Sequence, residues 1–209
     1  MALANYNNLK TSIANYLNRD DLTSFIPDFI ALAESRMNNE LRVREMETVD
    51  TSITTSAGTQ AYTLPTGFIE AKYVLFKSDP NTILQYKAPT DFFSKFNESV
   101  ASGKPTFFTI ISDKIHLGVK PDSATSLEIG FFKKLSTLTE SNTTNSILTN
   151  YPDLYLYASL AESSPFLMQD ERLQVFAGLY KEALTIANSS AENGRTASQS
   201  LQMSTTVVV

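Results

Sequence analysis

His116 is the only histidine in the chain, so it is the first place to look for a general base, an activated nucleophile or a metal ligand. It stands in Lys114-Ile115-His116-Leu117, an alternating strand pattern that turns it to the polar face between two apolar neighbours. A solvated strand histidine fits that setting better than a base. A Ser–His triad would need this same residue, and no Gly-x-Ser-x-Gly elbow accompanies it. The 7 glycines are scattered and form no phosphate-cradling loop. Carboxylate pairs are the remaining chemistry, because two acids at a fixed separation can run glycoside hydrolysis. Asp20-Asp21 and Asp170-Glu171 each precede a predicted helix, where acids offset the N-terminal dipole. Glu34 and Glu45 fall on the polar side of a predicted helix beside arginines. None of these pairs is set apart from ordinary helix chemistry. With no cysteine, thiolate catalysis, disulfides and cysteine-bound zinc are excluded. The residues therefore argue against an enzyme and call for no cofactor and no metal.

Contact chemistry is what remains, and it centres on Leu22 to Glu47, the longest run with a helical period. Ile26, Ile30, Ala33, Met37 and Leu41 recur at steps of three and four and predict one buried face. Thr23 and Ser24 are placed to cap its start, and Pro27 is tolerated in the first turn. Glu40 precedes Arg44 by the four residues that favour a helical ion pair. Arg36, Arg42 and Arg44 make a small basic cluster on this run. Glutamate partners on a solvated helix face account for them simply; a subunit interface is the sharper alternative, since arginine forks suit carboxylates across a contact. Tyr157 lies off the apolar stripe of its own predicted helix (Tyr151, Leu154, Tyr155, Ala158, Ala161) and hints at a second contact surface.

These residues must be held by helices at both ends and strands between. A first helix over 3–18 carries Tyr6, Leu9, Ile13, Tyr16 and Leu17, and Asn18-Arg19-Asp20-Asp21 breaks it, favouring an antiparallel pair with the main helix. From Thr48 the period changes to two. Strands are predicted over 49–55, 60–64, 69–77, 82–86, 106–112, 114–118 and 125–134, the second returning on the first across Ala57-Gly58-Thr59. Pro89-Thr90-Asp91 starts a short helix with Phe92, Phe93 and Phe96. The polar stretch 136–147 reads as a loop. Helical period then returns, with Asn150 placed as a cap, Pro165 ending or kinking that helix, Asp170 capping the last one (Leu173, Phe176, Tyr180, Ala183, Leu184, Ala187) and Gly194 stopping it. The expected fold class is α+β. A helical core from residues 1–47 and 148–194 packs together as a bundle, with an antiparallel β module over 48–147, a sheet or small sandwich, inserted between its two halves and an extended tail over 195–209.

That tail is polar until Leu201 and Met203 and ends in Val207-Val208-Val209. It is either a frayed terminus or a strand that adds to a neighbouring subunit or partner. The chain of 209 residues is 42% hydrophobic and 19% charged, the composition of a folded protein. A net charge of −5 suits it poorly to gripping DNA phosphates, yet suits a passage through which DNA slides. The first residues, MALANYNNLK, lack the basic start and apolar run of a secretory signal, and no apolar stretch reaches the roughly 18 residues that span a bilayer.

Several blocks carry a resemblance. Ile26-Pro27-Asp28-Phe29-Ile30, Ala33-Glu34-Ser35-Arg36 and Glu40-Leu41-Arg42-Val43-Arg44-Glu45-Met46-Glu47 resemble the N-terminal helix of head-to-tail adaptor (connector) proteins of tailed bacteriophages. Leu64-Pro65-Thr66-Gly67-Phe68 looks like that family's Leu-Pro-x-x-Phe element. Gly103-Lys104-Pro105 with the Phe-rich strand after it is similar to its next block. Tyr151-Pro152-Asp153-Leu154-Tyr155-Leu156-Tyr157 and Asp170-Glu171-Arg172 resemble its C-terminal helical block, so the likeness covers residues 3–193 in order. It implies a non-enzymatic virion protein at the head–tail junction, assembled in the host cytoplasm. Such a protein forms a homo-oligomeric ring, usually a dodecamer, beneath the portal protein. The ring extends the DNA channel without specific DNA binding, docks tail or nozzle proteins and has no membrane role. In several relatives the C-terminal segment reaches along the portal, which would give Leu201, Met203, Val207, Val208 and Val209 a portal-binding role. The alternative from another class is a virion receptor- or carbohydrate-binding module on the β region, against which the absence of tryptophan counts.

Overall fold

Asn5 opens the first helix by accepting the Asn8 N–H on its side-chain oxygen at 2.9 Å, and α1 runs over Tyr6–Leu17 in the computed structural model of the chain. The structure describes residues 3–96, 101–166 and 172–196. Asn18 closes α1 in the left-handed conformation at φ 51°, which asparagine tolerates better than most residues. A 3-10 turn over Asp20–Phe25 leads into α2, Ile26–Glu40. Thr23 and Ser24 lie inside that turn; Phe25 occupies the cap position and makes no side-chain capping bond. Pro27 does sit in the first turn.

The run expected to be one helix to Glu47 stops at Glu40. Leu41 is extended at φ −93°, ψ 134°, and Leu41 and Val43 are both fully buried with half-buried Arg42 between them. That is a period of two, hidden inside a longer helical pattern. Asn188 makes the exit possible, accepting the Arg42 N–H at 2.9 Å and donating to the Glu40 carbonyl at 3.1 Å. A 3-10 turn over Arg44–Met46 then feeds β1, Glu47–Thr54. The remaining elements are β2 (Ala61–Thr63), β3 (Phe68–Phe76), β4 (Thr82–Ile83), β5 (Gln85–Tyr86), α3 (Pro89–Lys95), β6 (Phe107–Ile111), β7 (Lys114–Leu117) and β8 (Ser126–Lys133). After them come α4 (Ser146–Asn150), α5 (Pro152–Glu162), a 3-10 turn over Ser164–Phe166 and α6 (Arg172–Thr196).

The fold is α+β, and it divides into two compact units. One holds the helices up to Glu45 and from Leu135 onward; the other holds residues 46–134. The stretch 135–147, which the sequence pattern attaches to the β module, clusters with the helices.

In the helical unit α5 is central and packs on α6, α2 and α1. Leu154, Tyr155, Leu156, Ala158, Ser159 and Leu160 are all buried, so the helix is covered nearly all round and a one-sided stripe understates it. Partners on three sides are the reason, and they also mean that α1 packs more on α5 than on α2. Tyr16, expected in the α1 stripe, is 48% exposed. Asn145 rather than Asn150 does the capping: it accepts the Leu148 N–H at 2.8 Å and starts α4, whereas the α5 cap position is Tyr151 with no side-chain bond. α5 ends at Glu162, before Pro165. α6 buries Phe176, Tyr180, Ala183, Ala187 and Ala191 and continues through Gly194, which therefore does not stop it. The expected Asp170 cap lies outside the described residues.

The β unit is two four-stranded sheets, ordered β1-β8-β3-β4 and β2-β7-β6-β5. All pairs are antiparallel except β5 with β6, which are parallel. The predicted hairpin of the first two strands does not form: Gly58 makes the turn at φ 79°, but β1 pairs with β8 and β2 with β7 in the other sheet. The predicted fourth strand is one extended run that changes sheets at buried Leu84. The Leu84 N–H donates to Val74 of the first sheet at 2.8 Å, and the Gln85 N–H to Thr106 beside the second at 2.9 Å. Val74, Phe76, Leu127, Ile129 and Phe131 from one sheet and Leu64, Leu84, Phe108, Ile115 and Leu117 from around the other form one core.

Candidate functional site

Arg36, Arg42, Arg44 and Tyr157 lie on four different elements: α2, the extended segment, the 3-10 turn and α5. Arg36 is taken up within its own chain. It pairs with Glu40 one turn on at 3.2 Å and with Glu162 of α5 at 3.1 Å, and its guanidinium lies 4.6 Å from the centre of the Tyr180 ring of α6. The Tyr180 hydroxyl donates to Glu40 at 2.8 Å; burial and then this carboxylate push its pKa well up. Three helices thus share one charged network, and Glu40 serves Arg36 rather than the expected Arg44. Arg42 donates to the carbonyls of Asn38 at 3.1 Å and Leu41 at 2.7 Å, finishing the end of α2. Arg44 is exposed and Tyr157 half-buried. Leu201, Met203, Val207, Val208 and Val209 lie outside the described residues.

The acids divide differently from their sequence reading. Glu34, assigned to the polar side of its helix, is only 4% exposed. It accepts the Leu138 N–H at 2.8 Å and the Tyr155 hydroxyl at 3.1 Å. Burial raises its pKa, and those two donors pull the other way. Asn145 donates to the Tyr155 oxygen at 2.6 Å and to the Ser136 carbonyl at 2.8 Å. The polar stretch after Lys134 is therefore tied to α2 and α5 by one buried carboxylate. Its signal in the sequence was positional: Glu34 sits beside Ala33 and three before Met37, inside the apolar arc. Glu45 is exposed and accepts from Asn150 at 3.1 Å, and Asp21 pairs with Arg19, which lowers its pKa. Asp170-Glu171 lies outside the described residues. His116 is half-buried beside Phe93, and burial with nearby Lys114 lowers its pKa.

Two surface features had no sequence forecast. In the β unit, Phe68, Ile69, Ala71, Tyr86, Phe108, Ile110 and the acid Glu70 line a groove of about 410 Å³. It opens beside β3, because the two-residue β4 covers only Leu75 and Phe76 of that strand. In the helical unit, the outer side of α6 exposes Val175 (58%) and Ile186 (60%) around Gly178. A glycine inside a helix costs about 1 kcal/mol relative to alanine. A Cβ on Gly178 would meet no atom within 4 Å, so nothing in its own chain requires a glycine there.

The helical unit is thus braced by internal polar networks and leaves Val175 and Ile186 exposed on the outer side of α6, while the β unit carries an open groove. Among the described residues no group of acidic or histidine side chains could hold a metal ion, and no helix is long and apolar enough to cross a membrane. The chain matches the family model described as SU10 adaptor protein over residues 4–204 and belongs to that family of phage head-tail adaptors. The resemblance carried by its motifs is thereby borne out. No curated protein matches it.

Proposed function

We propose that this protein forms the adaptor ring that binds the portal, extends the DNA channel and docks the tail. The observation that carries this reading is the family match over residues 4–204, nearly the whole chain. The acidic net charge of −5 supports a channel that does not retain DNA. Residues 197–209, ASQSLQMSTTVVV, contain no charged side chain and end in five β-branched residues, which suits an extended segment that pairs with a partner. In this reading Leu201, Met203, Val207, Val208 and Val209 contact the portal. Exposed Arg44 and half-buried Tyr157 are available to a neighbouring subunit, while Arg36 and Arg42 brace their own chain. A phage with a stop codon early in this gene should accumulate heads without tails, and adding the purified protein to those heads should restore infectivity. Normally tailed particles lacking the protein would refute the reading.

The groove beside Tyr86 favours the second reading, a binding module on the β unit. Glycan-array binding by the whole protein that disappears in Tyr86→Ala would support it.

A further inference from the structure

We infer that α6 of one copy receives α2 of a second copy, with Leu32 as the knob and the surface around Gly178 as the hole. The inference rests on the ring reading and names the contact that would close it. α2 buries Ile26, Phe29, Ile30, Ala33 and Met37 in its own unit and turns Asp28, Ala31, Leu32 and Ser35 outward. Leu32 is 52% exposed, a branched apolar side chain flanked by the short side chains of Ala31 and Ser35. α6 presents the complementary shape. Gly178, Lys181, Glu182, Thr185 and Ile186 line a shallow recess of about 380 Å³, and a Cβ on Gly178 would meet nothing within 4 Å beyond its own helix turn. A glycine that its own helix does not need is explained by a partner that must come close to the backbone.

Charge selects the occupant. Asp28 lies one turn before Leu32, and Lys181 one turn after Gly178. Both are exposed, and neither makes an ion pair among the described residues. An antiparallel crossing that seats Leu32 over Gly178 brings Asp28 over Lys181. Knob, hole, acid and cation all belong to one chain, so a second copy of it satisfies both faces. The two patches are different surfaces, so the contact is heterologous, head to tail, and propagates from copy to copy until a ring closes.

The lack of native cysteine makes a direct test possible. Full-length Ser35→Cys/Gln174→Cys, exposed positions one turn from Leu32 and Gly178 that face each other in this crossing, is treated with a short bismaleimide, alone and on purified portal rings, beside each single variant. The expected result is a ladder of three or more linked copies from the double variant and none from either single one. Asp28→Lys or Lys181→Asp, introduced into the double-cysteine protein, should each cut the ladder several-fold, and the two together should restore it. Several wild-type copies per portal ring with no ladder would overturn this contact and leave the adaptor reading standing. Linked dimers from one single variant would overturn it in favour of a two-fold contact. A protein that stays monomeric and does not bind portal would remove the adaptor reading and this contact with it.

Discussion

Glu34 decides how the stretch after Lys134 is held, and it does so with a carboxylate buried at some cost. Its pKa is raised in the folded chain, so its charged form is disfavoured there relative to the unfolded chain. Its penalty is absent below the ordinary carboxylate range, grows as pH rises through that range and is complete above the folded pKa. Glu34→Gln keeps an acceptor for the Leu138 N–H and Tyr155 hydroxyl but carries no charge. The Tm of the variant minus that of wild type should therefore become more positive between pH 4 and pH 7.5 in thermal melts; a constant difference would refute the account. Glu34→Ala leaves the buried Leu138 N–H without its acceptor and should lose about 1–3 kcal/mol in urea unfolding. A second residue-level case is Gly130, where a Cβ would lie 2.2 Å from the Tyr73 ring. Gly130→Ala must push that ring aside and break its 3.0 Å bond to Glu128. It should cost about 1 kcal/mol in wild type and little in a Tyr73→Ala background, as a double-mutant cycle would read.

The end of α2 depends on a residue of α6. Asn188 serves both backbone groups exposed where the chain leaves the helix, so Asn188→Ala should destabilise the helical unit by about 1–3 kcal/mol in chemical denaturation. An unchanged midpoint would mean that water serves those groups equally well. This element also shows what the sequence pattern could and could not supply. The stripe Ile26, Ile30, Ala33 and Met37 was legible because its period is unbroken. The stop at Glu40 was not, because Leu41 extends the helical period while Leu41 and Val43 also satisfy a strand's, and the deciding partner is 146 positions or more away. Strand positions were legible from alternation and turn residues. Their pairing was not: alternation says that a segment is half-buried, not which sheet buries it, so β1 and β2 looked like a hairpin. The place of Glu34 inside the apolar arc was legible, but the donors that let a carboxylate stay there were not, because they come from Leu138 and Tyr155. Gly178 was missed because only the packed helix shows that its own chain leaves it idle.

For the whole molecule, the β unit is proposed as an inserted module. Its first and last strands pair directly, with Glu47 opposite Phe132, so its chain ends leave side by side. Residues 46–134 made alone should fold cooperatively with a β-type circular dichroism spectrum, and a non-cooperative melt would argue against an autonomous module. The helical unit holds the internal networks of Arg36 and Glu34 and, in the proposed ring, the intersubunit contact. The most direct measurement of the central claim is co-sedimentation of this protein with its purified portal ring, comparing full length with a chain ending at Thr196. Several copies per ring for the full chain, lost or much weakened for the shortened one, is the predicted result. A full-length chain that stays in the supernatant at every concentration would contradict the adaptor reading.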